Sequence, residues 1–443
     1  MKCERHRRPQ TSHRARSNEM THPHDWFTHD RFGLFIHFGL YSTLGRHEWV
    51  MTHERTAPED YEKNAEFFDP DQFDAAEVAR AAKQAGMRYA VLTAKHHEGF
   101  AMFDTALSDY SSVTAFGRDI VREYVEAFRA EGLRVGLYFS LIDWHHPDFT
   151  IDYHHPLRDR EDASALNEGR DMARYREYLH GQVRELLTNY GQIDYLFYDF
   201  TYVDDRDGWA GKGPQDWDSE GLLAMTRELQ PDIIVNDRLW IPGDLVTPEQ
   251  YQPDEPMIVD GAEVMWEACQ TLNGAWGYDR DNLDIKSPDL LLRMLVDTVS
   301  KNGNLLLNIG PDGRGAVAPR DETSLTAIGE WMRLHSQSVI GAGAAAYDAP
   351  SGTVLTRREN RLYLHLLVWP FGHVHLRDLA DKVKFARLLH DGSQIRTSQS
   401  APDQQAWNTE PGGQPAGTLT LHLPTVRPEV AIPVIELFLA PDA

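Results

Sequence analysis

The stretch YAVLTAKHH, residues 89–97, decides the fold class, because an apolar run there ends abruptly in charged and polar residues. Helix-like sequence flanks it on both sides, in FDAAEVARAAKQAGM (73–87) and in DIVREYVEAFRAEG (119–132). In the first of these, Asp74 can cap the helix, with Glu77 three residues later. An apolar strand between two helices is typical of a parallel sheet that is covered on both faces.

The same alternation of strand-like and helix-like sequence extends from about residue 32 to about residue 340. The further strand-like runs are FGLFIHFG (32–39), RVGLYFSL (134–141), YLFYDF (195–200), DIIVND (232–237), EVMWEAC (263–269) and NLLLNIG (304–310). About seven repeats favour a (β/α)8-like, TIM-type barrel over an open doubly wound sheet. No glycine-rich phosphate loop follows any of these strands, so nucleotide binding is not expected.

After about residue 345 the pattern changes to period-two alternation between polar turns. It is seen in TVLTRRENRLYLHLLVW (353–369), KVKFARLLHDG (382–392), GTLTLHLP (417–424) and PVIELFLA (433–440). Such segments predict an antiparallel β-sandwich. The predicted domains are a basic tail or mis-assigned start over residues 1–20, a barrel over 21–345 and a C-terminal β-sandwich over 346–443.

The bulk composition excludes several classes of protein. A net charge of −24 over 443 residues argues against binding to nucleic acid or to anionic membranes. The two cysteines, Cys3 and Cys269, cannot form a disulfide framework, and the opening residues lack the apolar core of a signal peptide. No run approaches the roughly 18 apolar residues of a membrane-spanning helix. We therefore expect a cytoplasmic protein, whose oligomeric state the sequence leaves open.

Polar and titratable residues end most of the predicted strands, and the carboxyl ends of the strands are where a barrel builds its active site. Such groups lose hydration at the end of an apolar run unless something pairs with them. They are His37, the pair His96 and His97, Tyr138 leading to Asp143, Asp199, the run Asn236, Asp237 and Arg238, Glu267, and Asn308. So many strand ends of this kind predict a polar site at the mouth of the barrel.

Two carboxylates directly end aromatic or apolar strand-like runs. Asp199 follows the aromatic run YLFY, and Glu267 follows EVMW in the same way. Two carboxylates on different strands that face one cleft are what glycoside hydrolysis requires, and their shared negative field would raise the pKa of one of them. The structural alternative for Asp199 is a helix cap or an ion pair with Arg238.

Metal binding is the main alternative for the histidine pair. Adjacent residues in a regular strand point to opposite faces, so His96 and His97 could not both bind one ion from regular strand geometry. The sequence contains neither C-x-x-C nor H-E-x-x-H, and FIHFG offers only His37. We therefore expect neither a metal nor another cofactor, and we interpret the imidazoles and Arg238 as groups that hydrogen-bond sugar hydroxyls.

The chain resembles a known enzyme family in a set of segments that follow one another in the family's order. These are RFGLFIHFGLYS, HEWV, TAKHHEGFAMF, GLYFSLIDWHHP, YLFYDF, VNDR, WEACQTLNGAWGY and GNLLLNIGPDGRG. Over about residues 26–345 it is similar to glycoside hydrolase family 29, the retaining α-L-fucosidases. The resemblance implies a barrel followed by a β-sandwich, and hydrolysis of terminal α-L-fucosyl linkages in oligosaccharides or glycoconjugates.

The resemblance also implies roles for individual residues. Asp199 would be the nucleophile of a covalent fucosyl intermediate, and Glu267 would be the acid/base. The residues implied to hold the sugar are His37, Glu48, Trp49, His96, His97, Tyr138 and Arg238. Fucose carries an apolar methyl group, so an aromatic wall is expected, with Trp266 and Trp276 as candidates. His96 and His97 can act together only if the chain leaves regular strand geometry at that point.

Some features depart from the family pattern and leave alternatives open. Phe197 stands where the family often has tryptophan, and Phe200 stands where it often has glycine at a sharp turn. Asp244 and Glu249, in PGDLVTPEQ, are alternative acid/base residues. The competing functions are a glycosidase for a fucose-like sugar such as L-galactose, a catalytically silent carbohydrate-binding relative, and a metal-dependent hydrolase. The linkage preference is left open.

Overall fold

A computed structural model describes residues 22–407 and 410–441 of the chain. The predicted tail over residues 1–20, with Cys3, lies outside these described residues. Within the described ranges, no helix combines the length and the apolar character needed to cross a lipid bilayer.

The first part of the structure is a parallel barrel. In chain order its strands are β1 (Phe32–Ile36), β2 (Tyr89–Lys95), β3 (Arg134–Ser140), β4 (Tyr195–Asp199), β5 (Ile234–Val235), β6 (Leu245–Val246), then a small antiparallel hairpin of β7 (Ile258–Val259) and β8 (Ala262–Glu263), then β9 (Met265–Thr271) and β10 (Asn304–Ile309). The eight barrel strands pair in the order β5-β4-β3-β2-β1-β10-β9-β6. A parallel bridge between Asn236 and Leu245 joins the two outer strands, so the sheet is nearly closed. The predicted (β/α)8-like barrel is confirmed.

Helices surround the strands, and their caps follow from the sequence. They are α1 (Asp25–Asp30), α2 (Tyr41–Leu44), α3 (Val50–His53), α4 (Pro58–Tyr61), α5 (Ala75–Gln84), α6 (Ser112–Phe116), α7 (Ile120–Ala130), α8 (Ala163–Leu166), α9 (Met172–Asn189), α10 (Pro214–Trp217), α11 (Ser219–Leu229), α12 (Pro288–Ser300) and α13 (Pro319–His335). The carboxylate of Asp74 accepts the backbone N–H groups of Ala76 and Glu77, as the sequence predicts for the start of α5. Ser287 caps α12 in the same way.

The barrel is filled by side chains and is closed at the amino ends of its strands. Trp26 and Phe27 of α1 are buried there, and the ring of Phe27 lies 5.6 Å from that of Tyr89 and 5.9 Å from that of Tyr195. Above this layer the interior holds Phe35, Val91, Tyr138, Phe197, Cys269 and Leu306. Because this lower end is plugged, a ligand reaches the barrel from the carboxyl ends of the strands.

The C-terminal part consists of antiparallel sheets. Its strands are β11 (Gly343–Ala344), β12 (Thr353–Arg358), β13 (Arg361–Leu366), β14 (His373–Leu376), β15 (Val383–Leu388), β16 (Arg396–Gln399), β17 (Leu419–His422) and β18 (Val434–Leu439). One sheet has the order β11-β12-β13-β18-β15 and the other has the order β14-β17-β16. A separate apolar core, which includes Leu364, Leu376, Leu421 and Leu437, lies between them. The predicted antiparallel architecture is confirmed, while the predicted boundary at residue 345 stays a prediction.

Candidate active site

A cavity opens at the carboxyl ends of the barrel strands. It is lined by Phe35, His37, Trp49, His96, His97, Tyr138, Phe197, Asp199, Phe200, Arg238, Glu249, Cys269 and Trp276. Most of the residues predicted to hold or attack the sugar therefore come together here, namely His37, Trp49, His96, His97, Tyr138, Asp199, Arg238 and Trp276. The predicted residues that do not line the cavity are Glu48, Asp143, Asn236, Asp237, Glu267 and Asn308.

Asp199 is the last residue of β4 and is held by two donors. The hydroxyl of Tyr138 donates to its Oδ2 at 2.7 Å, and Nη1 of Arg238 donates to its Oδ1 at 2.9 Å. Burial raises the pKa of this carboxyl above its ordinary value, the Arg238 charge opposes the rise, and the nearby Glu249 charge adds to it. The ion pair that was the structural alternative for Asp199 is present, and it lies within the cavity.

Glu249 supplies the second carboxylate of the cavity. Nη2 of Arg238 donates to its Oε2 at 2.8 Å, so a single guanidinium joins Asp199 and Glu249. The guanidinium itself is held in place because Nε of Arg238 donates to Oγ1 of Thr247 at 2.9 Å. The Glu249 side chain is 40% exposed and the Asp199 side chain 13%. The cavity thus contains one sheltered carboxylate and one that water can reach.

Glu267 does not lie in this cavity, and its predicted place at a strand end is wrong. Strand β9 starts at Met265 and continues to Thr271, so Glu267 is near the amino end of that strand. Its fully buried carboxylate accepts the hydroxyls of Tyr89 and Tyr195, which are the first residues of β2 and β4. Burial raises its pKa to about 8. The structure therefore places Glu267 at the plugged end of the barrel, where it does not meet Asp199, and the geometry does not support its implied acid/base role.

Asp244 is also outside the cavity. Its carboxylate accepts the backbone N–H of Val235 at 2.8 Å and forms an ion pair with Arg227. Since Asp244 directly precedes β6, it lies at the amino end of that strand and ties the strand to its neighbour. Of the carboxylates considered as acid/base from the sequence, only Glu249 lines the cavity.

His96 and His97 both line the cavity because β2 loses its regular pairing with β3 just before them. The register shifts between Thr93 and Lys95, and Gly99 follows with a φ of 84°. The two imidazole centroids lie 4.0 Å apart. The expected departure from strand geometry is confirmed.

The three imidazoles of the cavity are uncharged near neutral pH. Burial holds the pKa of His37 and of His97 well below the ordinary value and lowers the pKa of His96 to about 4. Nδ1 of His37 lies 2.6 Å from Oδ1 of Asn308, and Nδ1 of His97 lies 2.8 Å from Oγ of Ser140. Since Nδ1 is turned toward the protein in both, Nε2 is the ring nitrogen left for a ligand.

Aromatic residues form the walls of the cavity. The Trp276 ring lies 5.1 Å from the imidazole of His37 and 5.8 Å from the ring of Phe35. Glu48 supports this wall from behind, since its buried Oε2 accepts the N–H of Gly277 at 2.7 Å. The other candidate for the wall, Trp266, is a core residue whose Nε1 donates to a backbone carbonyl at 3.0 Å.

Phe200 closes the side of the cavity beyond Asp199. Its ring lies 4.7 Å from the imidazole of His97 and 5.0 Å from the ring of Trp49. Its φ is 83°, a left-handed backbone conformation that is unfavourable for a bulky residue. The family's frequent glycine at this position therefore matches the backbone, and this chain has a strained aromatic side chain instead.

The sequence reasoning missed two residues of the cavity, Phe35 and Cys269. Both could have been found from strand periodicity. Phe35 lies two residues before His37 and so on the same side of the chain, and Cys269 lies two residues after Glu267, nearer the carboxyl end of β9. Across residues 22–407 and 410–441, no group of three or more His, Cys, Asp or Glu side chains is arranged to hold a metal ion.

Comparison with known proteins identifies the family. A family model described as alpha-L-fucosidase matches residues 1–337. The chain belongs to the α-L-fucosidase family. Its structure is similar to that of alpha-L-fucosidase isoenzyme 1 from Paenibacillus thiaminolyticus, with a TM-score of 0.86 and 43% identity over 94% of this chain and 99% of the other. The plasma alpha-L-fucosidase of Pongo abelii is 30% identical over 385 residues, which are 78% of this chain and 76% of the relative.

A third similar protein bears on the reaction of the family. The GH29 alpha-L-fucosidase of Bacteroides thetaiotaomicron, solved as a trapped covalent intermediate with 2-fluoro-fucosyl fluoride, has a TM-score of 0.81 and 26% identity, covering 94% of this chain and 96% of the other. The fucosidases of this family are thus retaining glycoside hydrolases that act through a covalent intermediate.

Proposed function

We propose that this chain hydrolyses terminal α-L-fucosyl linkages by double displacement, with Asp199 as the nucleophile and Glu249 as the acid/base. The observation that carries the assignment is the guanidinium of Arg238, which contacts both carboxylates inside one cavity. A retaining glycosidase needs a carboxylate on each side of the bond that breaks. Family membership supports the reaction, and the cavity supports this pair of residues.

In the first step, Asp199 attacks the anomeric carbon while the bond to the leaving group breaks. Glu249, in its acid form, gives its proton to the departing glycosidic oxygen, and an ester forms between the sugar and Asp199. The donors from Tyr138 and Arg238 favour the ionised form of Asp199, which is the form that attacks.

In the second step, a water molecule attacks the same carbon and Asp199 leaves as a carboxylate. Glu249, now ionised, takes one proton from that water, which restores both residues to their starting state. Two inversions give net retention of the α configuration. The greater exposure of Glu249 suits this role, because an acid/base must exchange protons with water between steps.

The rest of the cavity suits a single terminal sugar. Its floor is closed by Phe197 and Cys269, so a chain cannot pass through the barrel. The neutral imidazoles are placed to hydrogen-bond ring hydroxyls, and the apolar faces of Phe35 and Trp276 suit the methyl group of fucose. The substrates would be fucosylated oligosaccharides or glycoconjugates, and a cytoplasmic location stays our prediction.

L-Galactose is the alternative sugar, because it differs from L-fucose by a hydroxyl on the methyl carbon. Against an apolar wall this hydroxyl would lose hydration without gaining a partner. We therefore expect a clear preference for the fucoside. A carbohydrate-binding protein without catalysis would not need both Asp199 and Glu249.

The test is hydrolysis of an aryl α-L-fucoside, with the first-formed anomer followed by NMR. Release of α-L-fucose by the wild type and none by folded Asp199→Ala supports the proposal. A matched aryl α-L-galactoside measures the sugar preference in the same assay. Binding of L-fucose without hydrolysis of aryl or oligosaccharide fucosides would instead support the catalytically silent alternative.

A further inference from the structure

A buried carboxylic acid lies directly behind the cavity, next to one of its imidazoles. Oε2 of Glu98 lies 3.6 Å from Nδ1 of His96, and both residues are buried. Among the described residues, Nδ1 of His96 and both carboxyl oxygens of Glu98 are buried atoms without a hydrogen-bond partner. A buried polar atom without a partner is costly, so these two groups are each other's natural partners. The reaction described above makes no use of Glu98.

The hydrogen bonds of His37 fix which of its nitrogens carries the proton. Nδ2 of Asn308 donates to the carbonyl of Trp276 at 2.7 Å, which turns Oδ1 of the same amide toward Nδ1 of His37 at 2.6 Å. An amide oxygen only accepts, so Nδ1 of His37 must carry the hydrogen. Nε2 of His37 therefore presents a lone pair to the cavity.

His97 is fixed in the same tautomer by a different route. Oγ of Ser140 donates its only proton to the carbonyl of Ile142 at 2.6 Å. It must then accept from Nδ1 of His97, which lies 2.8 Å away. Nε2 of His97 is an acceptor too. Together with the carboxylates of Asp199 and Glu249, this gives the cavity several acceptors for sugar hydroxyls.

His96 differs, because its Nδ1 faces a carboxyl group that burial keeps protonated. Burial raises the pKa of Glu98 to about 8, so near pH 7 the group is an acid that can donate. A donor at Nδ1 leaves the proton of a neutral imidazole on Nε2. The titratable groups around Glu98 are the ion pair of Lys95 and Asp143, with 3.1 Å between Nζ and Oδ2, together with His96, Tyr41, Tyr61 and Tyr110. The carboxylates that act on His96 itself are Glu48 and Asp199. Burial keeps the pKa of all three tyrosines well above 10, so they remain neutral.

We propose that Glu98 is a positioning residue that donates to Nδ1 of His96 and thereby makes His96 the one imidazole of this cavity that offers an N–H to the sugar. The inference rests on the proposed function, in which the three imidazoles hydrogen-bond the ring hydroxyls. It assigns different hydrogen-bonding roles to Nε2 of the three residues: His37 and His97 accept, and His96 donates. A hydroxyl both donates and accepts, so a cavity with both kinds of imidazole satisfies more of the sugar's oxygens.

The arrangement reverses when Glu98 ionises. A carboxylate at Nδ1 of His96 draws the imidazole proton to Nδ1, and Nε2 then becomes a third acceptor. The sugar loses a donor and meets added negative charge. We expect kcat/KM of the wild type to fall by about tenfold as the pH rises through about 8, with the fall reflecting the free enzyme.

Two measurements test the inference. The first is 15N NMR of histidine-labelled protein without substrate, in which the His96 signals are assigned by their loss in His96→Gln. We expect protonated Nε2 and unprotonated Nδ1 in His96 near pH 6.5, a tautomer change above about pH 8, and the opposite tautomer in His37 and His97 throughout. A merely structural role for Glu98 would not produce a tautomer change.

The second measurement is kcat/KM for an aryl α-L-fucoside between about pH 6 and pH 10. Glu98→Gln cannot ionise, and its amide can still donate to Nδ1, so it should keep activity near pH 6.5 and lose the step in kcat/KM near pH 8, while any fall caused by ionisation of the acid Glu249 remains. Glu98→Ala should lose about fivefold to tenfold in kcat/KM near pH 6.5. Glu267→Gln is the matched control, because it removes the other buried acid whose pKa is near 8 and should leave the alkaline fall in place.

The outcomes are distinguishable from failure of the proposed function. An alkaline fall that persists unchanged in Glu98→Gln, or a proton on Nδ1 of His96 near pH 6.5, would overturn the inference. Absence of fucoside hydrolysis in folded wild type would overturn the proposed function instead, and the NMR measurement would still report whether Glu98 sets the tautomer of His96.

Discussion

Arg238 and Asp199 form a direct ion pair, with 2.9 Å between Nη1 and Oδ1, in the cavity at the mouth of the barrel. The guanidinium offsets part of the cost of burying the carboxylate. It also reaches Glu249, so the two carboxylates of the proposed reaction are held by one side chain. A substitution at Arg238 therefore changes the pKa of Asp199 while leaving the carboxylate itself in place.

Replacing Arg238 by methionine should shift the acid limb of the pH profile. The Arg238 charge is the main influence that lowers the pKa of Asp199 against burial, so its removal raises that pKa further. Asp199 attacks as a carboxylate, hence kcat/KM should fall at a higher pH on the acid side than in the wild type. Arg238→Lys is the control, since it keeps the charge and should move the limb less. Acid limbs at the same pH in Arg238→Met and Arg238→Lys would contradict the predicted effect of the Arg238 charge on Asp199.

Removing the nucleophile should nearly abolish turnover. Asp199→Ala should lower kcat by about 10⁴-fold or more, because the residue acts as part of a unit with the acid/base. The measurement is release of the aryl group from an aryl α-L-fucoside. Asp199 lies at the cavity rather than in the plugged end of the barrel, so circular dichroism should show that the variant is folded.

The acid/base assignment is tested by chemical rescue. Glu249→Ala should be slow on substrates with poor leaving groups, keep more activity on an activated aryl fucoside, and be partly restored by azide. Glu267→Ala is the comparison: the structure places Glu267 away from Asp199, so azide should not restore any activity that it loses. Rescue of Glu267→Ala together with no rescue of Glu249→Ala would return the role to Glu267.

The contrast between Glu267 and Glu249 shows where sequence reasoning reaches its limit. The alternation of apolar strands and helices was enough to predict the barrel, and strand ends located Asp199 and Arg238. For Glu267 the same rule failed, because the apolar run before it is not the strand: β9 begins at Met265 and continues beyond the glutamate. The residue at which a strand begins depends on its pairing with neighbouring strands, and the local sequence does not specify that pairing.

Glu249 and Phe200 show a second limit. Glu249 lies after the short strand β6, where a single parallel bridge to Cys269 of β9 holds its backbone, and its carboxylate meets the guanidinium that also pairs with Asp199. A segment without periodicity gives no direction to its side chains. By contrast, the sequence raised the question of Phe200 correctly, since an aromatic residue stood where a sharp turn was expected, and the structure shows that turn as a φ of 83°.

The strain at Phe200 predicts an unusual order of stability. Phe200→Gly and Phe200→Ala remove the same ring, but only glycine adopts a positive φ without strain. Phe200→Gly should therefore have the higher free energy of unfolding, by about 1 kcal/mol. Urea unfolding measures the difference. Phe197, within the regular strand β4, is the matched control: there the glycine variant should be the less stable one. The same order at both positions would argue against strain at Phe200.

The buried acid at the plugged end of the barrel should make stability depend on pH. In the folded state the pKa of Glu267 is about 8, above the ordinary value of 4.5, so between these values the folded protein holds a proton that the unfolded chain has released. The stabilisation is fully present below about pH 4.5 and is lost as the pH rises through 8.

The free energy of unfolding should therefore fall with rising pH, and Glu267→Gln should make this fall less steep. Glu267 alone would lower the free energy of unfolding by up to about 1.4 kcal/mol per pH unit across this window. Glu267→Gln has no such proton, so its stability should fall less steeply between about pH 5 and pH 8. Glu98, whose folded pKa is also about 8, should contribute a second component of the same sign, and the double glutamine variant should be the flattest. Equal slopes in wild type and Glu267→Gln, measured by urea unfolding at several pH values, would mean that Glu267 is already ionised in the folded protein.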